Sequence, residues 1–235
     1  MSSEPNTDPN PPVLEFKNAS VSGGSHHVTG LKGVALAVRA GDVVLVNVEE
    51  GREHTLLADA AQGLLTADSG SVCFMGEDWA TMGAHRQAEQ RGRTRRVFEQ
   101  YGWITNLDVA ENICLAETHH SERLMADIIA EADRLARQFG LDGIPEGRPA
   151  RIHPMTLRKL EWVRAFMGTP ALIVLERPLL GAPKGDAARL FEAVCAASER
   201  GVSLIWVTNE ERVWECPAMK TARRFRLDKE SLTAV

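Results

Sequence analysis

The chain has 235 residues, 44% hydrophobic and 25% charged, proportions of a globular protein long enough for one α/β core with a small inserted subdomain. A formal net charge of -5 excludes an overall attraction to nucleic acid, and the basic stretch Arg91, Arg93, Arg95 and Arg96 reads as a solvated helix face. Cys73, Cys114, Cys195 and Cys216 stand singly, with no CxxC pair and no His at ligand spacing, which excludes a zinc signature and a secreted disulfide framework; ordinary buried thiols are expected.

Residues 1–12 are polar and proline-rich, without the charged-then-apolar order of a signal peptide, and are expected to form a disordered tail ahead of one domain over 13–235. No later apolar run is long enough to cross a membrane, so a cytoplasmic location is expected, with any membrane contact made through a partner. Val13 to Phe16 and Gly33 to Val38 predict an opening pair of strands, and Val43 to Val48 a buried central strand. A polar loop then leads into a helix over His54 to Gln62. Leu172 to Leu175 and Ser203 to Thr208 are two further buried strands, and the helix predicted over Ala187 to Glu199 between them makes a βαβ crossover. The alternation predicts an α/β layer structure with a mainly parallel sheet.

From about 106 to 168 the pattern is helical instead. Leu124, Ile128, Ile129, Ala132, Leu135, Ala136 and Phe139 recur every three or four residues and draw one apolar stripe, as in a helical subdomain inserted between strands.

Several connecting segments resemble the ATP-binding subunit of ABC transporters, in order and across nearly the whole chain. LKGVALAVRAGD (Leu31 to Asp42) resembles the strand before the family's phosphate loop, and GLLTADSGSVCFMG (Gly63 to Gly76) the segment after its first helix. RVFEQYGWITNLDVAEN (Arg96 to Asn112) resembles the Q-loop and the start of the helical subdomain, where a typical member reads VFQ, then NLTV, then EN. TPALIVLERP (Thr169 to Pro178) and SLIWVTNE (Ser203 to Glu210) take the places of the Walker B and H-loop strands. The resemblance implies a P-loop NTPase-like cassette: a mainly parallel central sheet, N-terminal antiparallel strands and the inserted helical subdomain.

The residues at the family's functional positions depart from its pattern. A phosphate loop needs glycines to wrap backbone N–H groups around phosphates, a lysine to neutralise them and a Ser/Thr hydroxyl for magnesium. Between Val46 and Leu56 the chain reads NVEEGREHT, which puts Asn47 and Arg52 at glycine positions, Glu53 at the lysine and His54 at the hydroxyl. Only Gly51, Arg52 and Thr55 offer anything to a phosphate, and three glutamates against one arginine make the loop net negative. Glu176 stands at the Walker B aspartate and Arg177 at the catalytic glutamate, where it cannot act as a base. Arg177 reads as half of a structural ion pair with Glu53 or Glu176, the alternative being an arginine finger. Asn209 replaces the H-loop histidine and cannot titrate near neutrality. Glu99 stands at the Q-loop glutamine with Gln100 beside it, so a one-residue shift could restore that site. Neither Ser22 nor Gly23 carries a ring to stack on adenine. The signature positions hold Ile152, His153, Pro154, Met155 and Thr156, which remove the close backbone approach of paired glycines, and Pro183 takes the D-loop aspartate.

These substitutions imply a scaffold without the usual chemistry: a pseudo-ATPase subunit with no catalytic residue, no metal and no cofactor expected, docked on a membrane permease and paired with a second ATP-binding subunit. It would then sit in the cytoplasm, peripheral to the inner membrane. In the family the Q-loop and helical subdomain form the permease groove, which assigns docking to Tyr101, Trp103, Ile104 and Asn106, with Leu107 beside them; Trp103 and Leu107 read equally well as subdomain core. Two alternatives stay open. One is an ATP-hydrolysing subunit using ATP and magnesium through Arg52, Thr55 and Glu176; the other is a soluble interaction module on a cassette fold.

Overall fold

A computed structural model describes residues 10–23, 30–49, 56–100 and 102–235. The tail expected over 1–12 thus falls largely outside the described residues.

The chain opens with β1 (Leu14–Val21) and β2 (Leu31–Val38), which pair antiparallel with Leu14 opposite Val38. After the central strand β3 (Val43–Val48) and the short helix α1 (Leu57–Ala61), β4 (Ser69–Phe74) pairs with the other side of β1, and β5 (Glu77–Asp78) completes a sheet of order β2-β1-β4-β5. Next come α2 (Ala84–Arg91) and β6 (Thr94–Val97). The helical insert follows, with α3 (Val109–His120), α4 (Met125–Gln138) and α5 (Pro154–Phe166). The chain returns to the sheet in β7 (Leu172–Glu176), crosses over α6 (Lys184–Glu199) to β8 (Ser203–Thr208), and ends with α7 (Glu211–Trp214), β9 (Arg223–Asp228) and β10 (Ser231–Ala234).

The second sheet has the order β10-β9-β3-β8-β7-β6, parallel throughout except for the terminal β9–β10 hairpin. Its central strands are apolar on both faces because both faces are covered. Val44, Val46, Val174, Ile205 and Val207 point toward α1 and the antiparallel sheet. Leu45, Ile173, Leu175, Leu204 and Trp206 point toward the helices. The strand period of two divides each strand between two cores. In the helical core Phe139 packs edge-on against Trp162 at 5.5 Å and beside Phe166 at 5.8 Å.

The architecture agrees with the expected cassette fold and its helical insert, and β3 and β8 have the expected bounds. Five details differ. The first helix begins at Leu57 among the described residues, three residues after the expected start, and His54 and Thr55 lie outside them. Asn47, assigned by the resemblance to a glycine position of the phosphate loop, lies within β3, paired with Thr208 of β8. In α4 the stripe is narrower than the periodicity drew it. Leu124 (71% exposed) and Ile129 (44%) face outward, while Ile128, Ala132, Leu135, Ala136 and Phe139 are buried. The basic stretch is not a solvated helix face: Arg91 ends α2, while Arg95 and Arg96 lie in β6 with their side chains 8% and 9% exposed and ion-paired. All four cysteines are free; Cys73 and Cys114 are buried, but Cys195 and Cys216 are half-exposed.

Candidate functional site

Parallel strands end together, and the crevice beyond their C-terminal ends is where an open α/β sheet offers a site. Glu176 is the last residue of β7, opposite Val207 of β8, and Asn209 follows the end of β8. Glu99 lies two residues beyond the end of β6. The topology therefore brings Glu99, Glu176, Arg177 and Asn209 to one sheet end. Gly51, Arg52, Glu53, His54 and Thr55 lie outside the described residues.

The charges at this end are paired with one another. Arg96 donates from Nε to Glu176 Oε2 (2.7 Å) and from Nη2 to Oε1 (2.9 Å), a two-pronged clasp, and its Nη1 reaches Asp59 Oδ1 of α1 at 2.5 Å. Arg177 donates from Nη1 to Glu99 Oε1 at 2.8 Å. The ion pair expected for Arg177 therefore exists with another partner. Glu176 is held by Arg96 instead, and Glu53 lies outside the described residues. Arg177 sits at φ +42°, a left-handed conformation unusual for a residue with a side chain, and its N–H donates to Val207 O. Burial pushes the Glu176 carboxyl above the ordinary carboxylate range, with Asp59 and Glu99 adding to the rise, while the hydrogen bonds and charge of Arg96 oppose it.

The segment after β6 is fastened from the side of α5. Arg158 donates from Nη1 to Phe98 O (2.7 Å), from Nη2 to Glu99 O (2.7 Å) and from Nη1 to Glu161 Oε2 (2.7 Å). Arg164 donates to Gly102 O and lies 5.2 Å from the Trp103 ring centroid. Among the expected docking residues, Ile104 (44% exposed) and Asn106 are exposed, while Trp103 and Leu107 are half-buried, Trp103 against the helical core. Tyr101 lies outside the described residues. Ile104, Asn112, Leu115, Ala116, His119 and Arg164 line one cleft between this segment and α3.

At the expected signature positions, His153 caps α5 by accepting the Met155 N–H at its Nδ1 (3.2 Å), and Pro154 opens the helix with no N–H to offer. Thr156 lies on a surface cleft walled by Gly140 to Pro145, and Pro183 caps the start of α6. Among the described residues no group of three or more His, Cys, Asp or Glu side chains is placed to hold a metal ion, and no helix is long and apolar enough to cross a membrane.

The sequence reading missed Asp59, Arg96 and Arg158. A signal for Arg96 was present in RRVF, where an arginine occupies a strand flanking a central sheet and so needs a buried acidic partner.

No protein-family model matches the chain. In sequence it is similar to the lipoprotein-releasing system ATP-binding protein LolD of Porphyromonas gingivalis, 27% identical over 205 residues, covering 86% of this chain and 91% of that protein. It is also similar to the ribose import ATP-binding protein RbsA of Yersinia pestis, 25% identical over 204 residues, covering 84% of this chain but only 39% of that protein. Among solved structures, the dimeric form of a bacterial ABC transporter cassette superposes with a TM-score of 0.80 at 16% identity, over 93% of this chain and 96% of the other.

Proposed function

We propose, from the premise that the chain belongs to the ABC transporter ATP-binding cassette family, that it serves as the cassette subunit of a transport complex without hydrolysing ATP. The observation that carries the second half is the Arg96 clasp on Glu176. A divalent ion at this sheet end needs carboxylate oxygens free to face it. Both oxygens of Glu176 accept from Arg96, and Asp59 Oδ1 accepts from the same guanidinium. Arg96 thus engages the two carboxylates that would have to face a magnesium ion at this sheet end, which supports a reading without metal-assisted hydrolysis. Arg177 stands where the family's general base is expected, and a guanidinium cannot take a proton from water. Its bond to Glu99 gives it a structural task.

In this reading the exposed Ile104 and Asn106 and the cleft beside α3 are the surface for a membrane permease, and the chain is peripheral to the membrane through that partner. A second cassette subunit, carrying intact nucleotide chemistry, would supply the turnover. Affinity purification from native membranes tests the pairing: a permease and a second cassette protein are expected with this chain, and the absence of both contradicts the proposal.

A second reading keeps ATP binding and hydrolysis in this chain. It is favoured by the names of the similar proteins from Porphyromonas gingivalis and Yersinia pestis, both of which are ATP-binding proteins. Phosphate release by the assembled complex separates the two. Turnover lost on Glu176→Gln of this chain, in a complex that still assembles and melts as wild type, supports the second reading, and turnover insensitive to that change supports the first.

A further inference from the structure

The helical insert joins the sheet through two crossings, the segment from β6 to α3 and the turn from α5 to β7. Any swing of the insert against the sheet must bend both. At the first crossing Arg158, on α5, spans the carbonyls of Phe98 and Glu99 with its two terminal nitrogens and is itself braced by the buried Glu161. Nearly two helical turns further along, Arg164 holds Gly102 O, and the Arg96 and Arg164 guanidiniums lie 4.6 and 6.0 Å from the Phe98 ring centroid. Asn112 of α3 closes the far end, accepting from Ile104 N (2.8 Å) and donating to Ile104 O (3.0 Å).

The second crossing has its own fastening. Arg95 of β6 donates to Glu117 of α3 at 2.5 Å, both side chains under a tenth exposed; Arg123 joins Glu117 (3.1 Å) to Glu131 of α4 (2.6 Å), and Glu131 accepts the Gly168 N–H (3.2 Å). Gly168 has φ +68°, and a Cβ there would collide with the Glu117 carboxylate, so chain and carboxylate are packed directly together. Buried charge that loses one partner is left uncompensated in a medium of low dielectric, which makes each fastening costly to open.

We infer that these two arginine-centred latches, one gripping backbone carbonyls and one gripping carboxylates, lock the helical insert to the sheet, so that the insert keeps one orientation whether or not nucleotide is offered. This goes beyond the proposed function, because it holds for a chain that binds ATP as well as for one that does not. The reporters are the Ile104 and Gly168 amides, which donate to Asn112 Oδ1 at the far end of the first crossing and to Glu131 Oε1 at the second.

Hydrogen exchange of the full chain, read by mass spectrometry with and without millimolar MgATP, tests it. In the wild type both amides are expected to exchange at least a hundredfold slower than in unstructured peptide and at the same rate in either condition. Arg158→Lys, which keeps the charge but loses the fork, is expected to speed exchange around Ile104 at least tenfold while amides in β3 and β8 stay protected; Glu117→Gln should do the same around Gly168. Unprotected amides in the wild type, a nucleotide-dependent change at either crossing, or Arg158→Lys exchange equal to wild type would overturn the lock. Calorimetry on the same samples reports MgATP binding separately. Binding with unchanged exchange leaves the lock standing while contradicting the non-hydrolysing reading's expectation of an empty site.

Discussion

Arg96 of β6 clasps Glu176 of β7 through two hydrogen bonds of 2.7 and 2.9 Å, both side chains about a tenth exposed, at the C-terminal end of the parallel sheet. The pair joins residues 80 positions apart in sequence and carries Asp59 with it as a second carboxylate. From it follows a direct energetic expectation. Arg96→Met leaves Glu176 buried without its cation and should lower unfolding free energy by about 3–5 kcal/mol, whereas Arg96→Met combined with Glu176→Leu should recover most of that loss. Urea unfolding of the wild type and the two variants checks it; equal stability of the single and double variants contradicts it.

Glu161 gives a pH dependence. Burial pushes its carboxyl above the ordinary 4.5, against the charges of Arg158 and Arg164. A carboxyl whose folded pKa is raised takes up a proton on folding, so its contribution to stability is full below the unfolded pKa and is lost as pH rises through the folded one. Relative to Glu161→Gln, the wild type should therefore be most stable near and below pH 4.5 and lose that advantage as pH rises. Thermal unfolding of both proteins at matched pH values reads the sign, and an advantage that grows with pH contradicts it.

Phe139 tests the helical core. Its ring fills the space between Trp162 and Phe166, and Phe139→Ala removes a fully buried side chain that its neighbours cannot replace. A loss of about 3–5 kcal/mol is expected from denaturant titration, and a loss below about 1 kcal/mol would mean that the insert repacks.

Much of this architecture was legible in the sequence, and the reason is visible strand by strand. Val43–Val48 and Ser203–Thr208 are central strands covered on both faces, so their apolar runs are continuous and end where the sheet ends. The α4 periodicity was legible in part: it could not tell Ile128, which is buried, from Ile129 beside it, because a helix edge turns outward within one residue. The basic stretch was misread because charge is a poor guide to exposure when its partner is distant. Arg95 finds Glu117 and Arg96 finds Glu176 only after the insert and the sheet have assembled. Pairing at the sheet end was foreseen for Arg177 in kind, yet its partner Glu99 was chosen by the fold.

The surface proposed for a permease makes a binding prediction. Ile104 is exposed beside the α3 cleft and its side chain contributes little to the core, so Ile104→Asp should leave the melting temperature within about 2 °C of wild type, as surface changes do. The same substitution should reduce recovery of the membrane partner at least tenfold in affinity purification. Undiminished recovery would move the docking site elsewhere.

The measurement that bears most directly on the central claim is titration of MgATP into the purified chain by calorimetry, extended to millimolar concentration. With Glu176 and Asp59 both engaged by Arg96, only heat of dilution and no magnesium-dependent saturation are expected. Saturable binding that requires magnesium would contradict it and assign nucleotide chemistry to this chain.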